Sequence, residues 1–114
     1  MKHIMHLRSK YFNLVNCDKK SIEIRLADEK RKNFKVGDVI VFYELSHNDN
    51  CTSVLIDSIK KYSTFEELLS DNDINDLGIK VLEKSNFIQE LKEIYPTDTV
   101  TKYGLLGIKF HVMR

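Results

Sequence analysis

Residues 19–38, KKSIEIRLADEKRKNFKVGD, combine a strand, a basic loop and a turn in one short stretch. From Ser21 to Leu26 polar and apolar residues alternate, which is the pattern of a half-buried β-strand. Seven of the chain's eighteen Lys and Arg residues lie within positions 19–35, together with only three acids. A turn at Val36-Gly37-Asp38 then precedes a long apolar run. This stretch therefore predicts one wall and one rim of a site for an anionic ligand.

The alternating strand has two chemically different faces. Its apolar residues share one face, and its polar residues, Ser21, Glu23 and Arg25, share the other. Glu23 and Arg25 are about 7 Å apart along the strand. They can form an ordinary ion pair on one face, or they can form the polar floor of a cleft. The residues alone leave both interpretations open.

Charge is distributed unevenly along the chain, although the formal net charge is only +1. Positions 19–35 carry a net charge of +4, whereas positions 64–98, with three bases and nine acids, carry −6. A phosphate-bearing partner is attracted to the first region and repelled by the second. Lys30 and Arg31 are therefore candidate phosphate-binding residues, although a solvated loop accounts for the same charges. The acidic half leaves open a further function, that of a protein–protein adaptor.

Apolar periodicity predicts five strands and two or three short helices. The predicted strands cover 2–7, 21–26, 39–45, 52–60 and 104–112, and the predicted helices begin near Ser9, Thr64 and Ser85. Residues 46–51 (SHNDNC) have the composition of a polar hairpin loop, and Pro96 ends the last helix. We therefore expect an α+β fold, a small open β-barrel of about five mostly antiparallel strands with two or three short helices.

Length and composition indicate a single domain spanning residues 1–114. No window approaches the ~18 apolar residues that a membrane span needs, and the first ten residues lack the apolar core of a signal peptide, so we expect a cytoplasmic protein without membrane contact. Cys17 and Cys51 form no metal motif and are expected to be free thiols. The four histidines indicate no metal site, and no phosphate-binding loop or dinucleotide fingerprint indicates a cofactor. The oligomeric state is left open.

The string DKKSIEIR, from Asp18 to Arg25, resembles the G-x-K-T-x-E-x-R signature of the ASCH domain (activating signal cointegrator homology), a branch of the PUA-like superfamily. Further segments match the family's landmarks in order and spacing: Tyr11-Phe12, FKVGD at 34–38, STFEELL at 63–69, Ile94-Tyr95-Pro96 and Tyr103-Gly104. The resemblance covers the whole chain. It implies a small β-barrel whose cleft is lined by the signature segment and binds RNA or a nucleoside- or nucleotide-like ligand.

Carried over position by position, the signature implies that Lys20, Ser21, Glu23 and Arg25 contact this ligand. Strand alternation alone places Lys20 opposite Glu23, so the strand must begin irregularly if the two side chains are to converge. Tyr62 and Tyr103 are candidate stacking surfaces for a base, although tyrosines in a barrel more often belong to its core.

Some relatives resemble acetylcytidine amidohydrolases, which implies an alternative function. The chain could be a small hydrolase, an amidohydrolase or nuclease, acting on a modified nucleoside or RNA with Lys20 as its base and Glu23 as acid, base or nucleophile. Those relatives place a Thr nucleophile where this chain has Glu23, and a Glu near the start of their last helix, a position that falls near residues 80–83 here.

Overall fold

The computed structural model describes all of residues 1–114 and consists of one five-stranded sheet, four α-helices and two short 3-10 turns. The strands are β1 (Lys2–Leu7), β2 (Ile22–Leu26), β3 (Val39–Glu44), β4 (His47–Tyr62) and β5 (Leu105–Val112). The helices are α1 (Ser9–Asn16), α2 (Phe65–Asp71), α3 (Lys84–Ile94) and α4 (Thr97–Tyr103), and the 3-10 turns cover Ile74–Leu77 and Val81–Glu83. None of the helices has the length and apolar character that crossing a membrane requires.

The strand order across the sheet is β1-β3-β4-β5-β2, so the first two strands of the chain form its two edges. β1 pairs parallel with β3, and the other neighbouring pairs are antiparallel. The sheet curls so far that its two edges approach each other. Nη2 of Arg25 on β2 donates a hydrogen bond to the carbonyl oxygen of His6 on β1 at 3.3 Å. This α+β half-barrel confirms the predicted architecture, in which most strands are antiparallel.

Two apolar clusters pack against the two faces of the curled sheet. The cluster inside the barrel includes Phe12 and Val15 from α1, which fill the barrel beside Phe42. The cluster outside the barrel packs the apolar face of β2 beneath α2, α3 and α4. Glu23 and Arg25 are paired with Ile108 and Leu106, two residues of the inner cluster, so the polar face of β2 is directed toward the inside of the barrel.

The expected hairpin loop at 46–51 is wrong. The turn consists of Leu45 and Ser46 alone, and β4 begins at His47. The polar residues that follow are accommodated by a register shift between Tyr43 and Glu44, where Nδ2 of Asn50 donates to a Glu44 carboxylate oxygen at 2.9 Å. Such irregularities bend a strand, and a second one, between Ile56 and Ser58, lies within the long β4.

The helices are also more numerous than the sequence predicts. Thr64 caps α2 as expected, its Oγ1 accepting from the Glu67 amide at 3.1 Å, whereas Ser9 is the first helical residue of α1 and makes no capping bond. Pro96 follows α3 but also occupies the N-cap of α4, which the sequence analysis missed. The segment of α4 is rich in β-branched residues and buries only Val100, so its periodicity is weak.

Candidate functional site

A cavity of about 250 Å³ lies in the gap between the two edge strands of the half-barrel. It is lined by residues from the end of β1, from β2 and from α3, with single residues from α1, the β3–β4 turn and the segment before β2: His6, Leu7, Arg8, Tyr11, Lys20, Glu23, Ile24, Arg25, Leu45, Phe87, Glu90, Leu91, Ile94 and Tyr95. This edge pocket, as we call it below, brings Lys20, Glu23 and Arg25 together, as the family signature implies.

An irregular backbone before β2 lets Lys20 reach the pocket. Asp18 has a φ of +63°, a left-handed conformation that Asp tolerates better than most residues, and it occupies the glycine position of the signature. The amides of Lys19 and Lys20 both donate to the carbonyl oxygen of Leu14, at 2.8 and 3.1 Å, so the chain is still wrapped around the end of α1 at this point. β2 begins only at Ile22, and strand alternation therefore does not fix the direction of the Lys20 side chain.

The ammonium group of Lys20 is buried and has three acceptors beside it. Its Nζ donates to the carbonyl oxygens of Ile22 and Leu77 at 2.6 and 3.2 Å, and it lies 3.5 Å from Oε1 of Glu23. The ring of Tyr11 lies above it, with 5.4 Å between Nζ and the ring centroid. Burial lowers the pKa of Lys20, while the neighbouring Glu23 carboxylate acts to raise it. The three acceptors within 3.5 Å of Nζ favour the protonated ammonium and so oppose the effect of burial.

Glu23 and Arg25 complete a buried network of three charges. Nη2 of Arg25 donates to Oε2 of Glu23 at 3.0 Å, and the Ile24 amide donates to Oε1 at 3.2 Å. Burial acts to raise the pKa of Glu23, but the charges of Lys20 and Arg25 and the two hydrogen bonds outweigh it and lower that pKa. Burial likewise acts to lower the pKa of Arg25, and the Glu23 carboxylate outweighs it and raises that pKa. With Lys20 protonated, the group has two positive charges and one negative charge.

This network takes the place of strand pairing between β1 and β2. Three of its hydrogen bonds end on backbone groups of the two edges: Lys20 donates to the Ile22 carbonyl, Glu23 accepts from the Ile24 amide, and Arg25 donates to the His6 carbonyl. Buried backbone groups need such partners. The network therefore closes the barrel, in addition to any role in binding.

The side of the pocket facing this network is apolar. Tyr11, Phe87, Leu91 and Tyr95 form it, and burial raises the pKa of both tyrosine hydroxyls. At the mouth, the exposed side chains of Leu45 and Ile94 stand beside Arg8 and Glu90. Arg8 and Glu90 take part in none of the ion pairs of the structure.

The residues of the apolar wall and of the mouth are not among the site residues predicted from the sequence. They come from segments far apart in the chain, and only the folded arrangement brings them beside β2. The sequence does contain one signal: Phe87, Leu91 and Ile94 recur at helical spacing in the segment that forms α3. Such a pattern indicates residues of the apolar core, and in the structure the same residues form the wall of the pocket.

The remaining predicted site residues lie outside the pocket. Ser21 is held by its backbone, which donates to the Asp76 carbonyl at 2.8 Å, and Lys30 is exposed on the loop before β3. Arg31 pairs with Asp28 at 3.0 Å, near enough to the pocket that its charge affects the pKa of Tyr95. These placements leave the basic loop beside the pocket rather than within it.

The two candidate stacking tyrosines are also outside the pocket. Tyr62 is buried in the outer apolar cluster and is hydrogen-bonded to Asp71 and Asn72 through its hydroxyl. Tyr103 ends α4, next to the entry of β5. The aromatic residues that do line the pocket are Tyr11, Phe87 and Tyr95.

The comparison with protein families decides the assignment that the signature suggested. The model of the ASCH domain matches residues 5–113, which is nearly the whole chain. The chain belongs to the ASCH domain family. This ASCH chain contains the signature lysine, glutamate and arginine at positions 20, 23 and 25, and the family is generally thought to bind RNA. A search among curated proteins found no match.

Solved structures share the fold of this ASCH domain. The crystal structure of the hypothetical protein PH0355 is 32% identical with a TM-score of 0.83, covering 99% of this chain and 100% of that one. The solution structure of protein PF0455 from Pyrococcus furiosus is 31% identical with a TM-score of 0.75, covering 100% and 99%. A mutant of the Zymomonas mobilis protein ZmASCH is only 9% identical, with a TM-score of 0.66 over 100% of this chain and 74% of that one, so it shows the fold alone.

Proposed function

We propose that this ASCH domain binds single-stranded RNA by taking one unstacked base into the edge pocket. The observation that carries the proposal is the convergence of Lys20, Glu23 and Arg25 on one side of a pocket whose other side is aromatic and apolar. Proteins that recognise single-stranded RNA stack splayed-out bases on aromatic side chains and hydrogen-bond their edges. The pocket offers both kinds of contact.

The size of the pocket supports one base rather than a longer ligand. At about 250 Å³ it is slightly smaller than the ~300 Å³ at which pockets for drug-sized ligands begin. The sugar and phosphate of a bound nucleotide therefore belong at the mouth. There the guanidinium of Arg8 is exposed and unpaired, and the basic loop with Lys30 is on the same molecule to attract the backbone.

Blocking the mouth tests the proposal without disturbing the buried network. Ile94 lines the pocket and is 53% exposed, so Ile94→Trp should fill the mouth while leaving the core intact. Val81→Trp is the matched control, because Val81 is 71% exposed and does not line the pocket. We expect a fluorescent single-stranded RNA containing all four bases to bind wild type and Val81→Trp alike, and Ile94→Trp about tenfold more weakly, in anisotropy titrations at fixed salt. Equal binding by all three proteins would contradict a base in the pocket.

The hydrolase alternative has less support from the geometry. A general base must have a lone pair available, and the Lys20 ammonium already faces three acceptors. Incubating the protein with acetylated cytidine and with RNA, and following product release by chromatography, tests it directly. Turnover by wild type that is lost in Lys20→Met would support the hydrolase function.

A further inference from the structure

The edge pocket is bounded by the backbone of two strand edges that have no strand partner. On β1, the carbonyls of Met1 and Leu7 accept from Val39 and Leu45 of the neighbouring segment, so odd-numbered residues direct their backbone groups toward β3. Because both backbone groups of a strand residue point to the same side, those of the even-numbered residue His6 are directed toward the pocket. The bond from Arg25 to the His6 carbonyl agrees with this direction.

The free edge of β2 follows the same rule. The Ser21 carbonyl accepts from the Phe110 amide of β5, and the Ala27 amide donates to the Gly104 carbonyl at the entry of β5. The backbone groups of Ile22 and Ile24 therefore face away from β5 and toward the gap. The buried charged network uses the Ile22 carbonyl and the Ile24 amide. It does not use the Ile24 carbonyl or the His6 amide.

His6 and Ile24 both line the pocket, and by this alternation their free amide and free carbonyl are directed toward it as a donor and an acceptor. Nη2 of Arg25 is 3.3 Å from the carbonyl oxygen of His6. Since the His6 amide points to the same side of β1 as that carbonyl, it lies beside the Arg25 guanidinium. An oxygen or ring nitrogen of the ligand placed there meets two neighbouring donors. The Ile24 carbonyl can accept only from an N–H or O–H group of the ligand.

We propose that these backbone groups read the ligand: its recognised edge gives a hydrogen bond to the Ile24 carbonyl and accepts one from the His6 amide. This inference rests on the proposed base-binding function and makes it more specific. The buried part of the ligand is then a neutral planar group with a donor beside an acceptor, such as the edge of a pyrimidine or purine base. A phosphate or carboxylate, which has acceptors only, does not match the Ile24 carbonyl.

Proline tests the backbone donor at one position. His6→Pro removes the amide hydrogen and keeps the carbonyl that Arg25 binds, and proline is tolerated on an edge strand where the amide faces away from the sheet. His6→Ala removes the same exposed imidazole but keeps the amide. Ile4→Pro, at an exposed even-numbered position of β1 that does not line the pocket, controls for any effect of proline on the strand.

We expect His6→Pro to bind the fluorescent single-stranded RNA about tenfold more weakly than His6→Ala, and Ile4→Pro to bind like wild type. Equal affinities of His6→Pro and His6→Ala would overturn the inference. Should His6→Pro fail to fold by circular dichroism, the His6 amide is followed instead in ¹⁵N-labelled wild type titrated with the same RNA. A downfield shift of its proton supports the inference, and an unchanged resonance at saturation overturns it.

Failure of this inference can be separated from failure of the proposed function. If Ile94→Trp weakens RNA binding while His6→Pro and His6→Ala bind equally, a base enters the pocket but is not read by the β1 edge. If Ile94→Trp binds like wild type, the base-binding function itself is wrong, and the backbone inference falls with it.

Discussion

Glu23 is the residue on which the buried network depends. It is the only negative charge in contact with both Lys20 and Arg25, whose side chains are 4% and 18% exposed. Removing one member of a buried ion pair leaves the others as uncompensated charges, which costs more than the pair contributed. The stability of the contact between the two edge strands, β1 and β2, should therefore depend on this one carboxylate.

Glu23→Gln should lower the free energy of unfolding by on the order of 3 kcal/mol, because it leaves the buried Lys20 and the half-buried Arg25 without their counter-charge. Urea denaturation followed by circular dichroism measures this change. Glu29→Gln is the matched control, since the ion pair of Glu29 with Lys32 is exposed and such pairs contribute little. A Glu23→Gln protein as stable as Glu29→Gln would mean that the charged network does not stabilise the closure of the barrel between β1 and β2.

At the level of single residues, the sequence predicted the identity of the network better than its geometry. The signature implied Lys20, Glu23 and Arg25, and all three line the pocket. Alternation placed Lys20 on the wrong side, because it cannot anticipate a left-handed Asp18 before the strand. Tyr62, a candidate stacking surface, lies outside the pocket because its hydroxyl is bonded to Asp71 of α2 and its ring belongs to the outer cluster.

At the level of elements, the segment after α2 fixes where Lys20 can lie. Gly78 ends the 3-10 turn Ile74–Leu77 with a φ of +82°, and a Cβ there would come within 3.1 Å of Leu14 Cδ1 and 3.2 Å of Lys20 Cβ. The glycine therefore serves two purposes, a left-handed backbone and a close approach to Lys20. The same turn provides the Leu77 carbonyl that accepts from Nζ.

Gly78→Ala should destabilise the protein by more than Gly37→Ala does. Both glycines have a positive φ, so each substitution costs about 1–2 kcal/mol of backbone strain. A Cβ on Gly37 meets nothing within 4 Å, whereas a Cβ on Gly78 makes tight contacts with Leu14 and Lys20, which must shift to accommodate it. The difference between the two free energies of unfolding isolates this contact. Equal values would show that Leu14 and Lys20 yield without cost.

The elements also show why some of the fold could not be predicted. The polar start of β4 has the composition of a loop, and it is a strand because β3 supplies a partner. The mouth and wall of the pocket come from α1, α3 and the β3–β4 turn, which no local pattern connects with β2. The periodicity of a sequence indicates which residues of one helix or strand are buried. A pocket is formed by residues of several elements, and periodicity does not show how those elements are arranged.

For the whole molecule, a second charged contact fastens the sheet far from the pocket. Asp38, in the turn before β3, is bonded by Oδ2 to Nε2 of His3 on β1 at 2.8 Å and to the Lys35 amide at 3.1 Å. His3 is also stacked on Phe34, with 3.8 Å between the ring centroids. The contact joins the edge strand β1 to the end of the basic loop, so its loss should loosen the curled sheet as a whole.

The acid stability of the fold should reflect this contact. The hydrogen bond from His3, with those from the Lys35 amide and the chain's amino group, outweighs burial and lowers the pKa of Asp38 from 3.8 to about 2. A carboxyl group whose folded pKa is below its unfolded value stabilises the fold fully above the unfolded pKa and loses that contribution as the pH falls through the folded one. The loss therefore falls between about pH 4 and pH 2.

Asp38→Asn should unfold more readily at neutral pH and show a smaller decline in stability across that window. Urea midpoints measured at several pH values test this, with Asp57→Asn, from the exposed pair with His111, as control. Parallel declines in wild type and Asp38→Asn would show that the Asp38 contact does not contribute to acid unfolding.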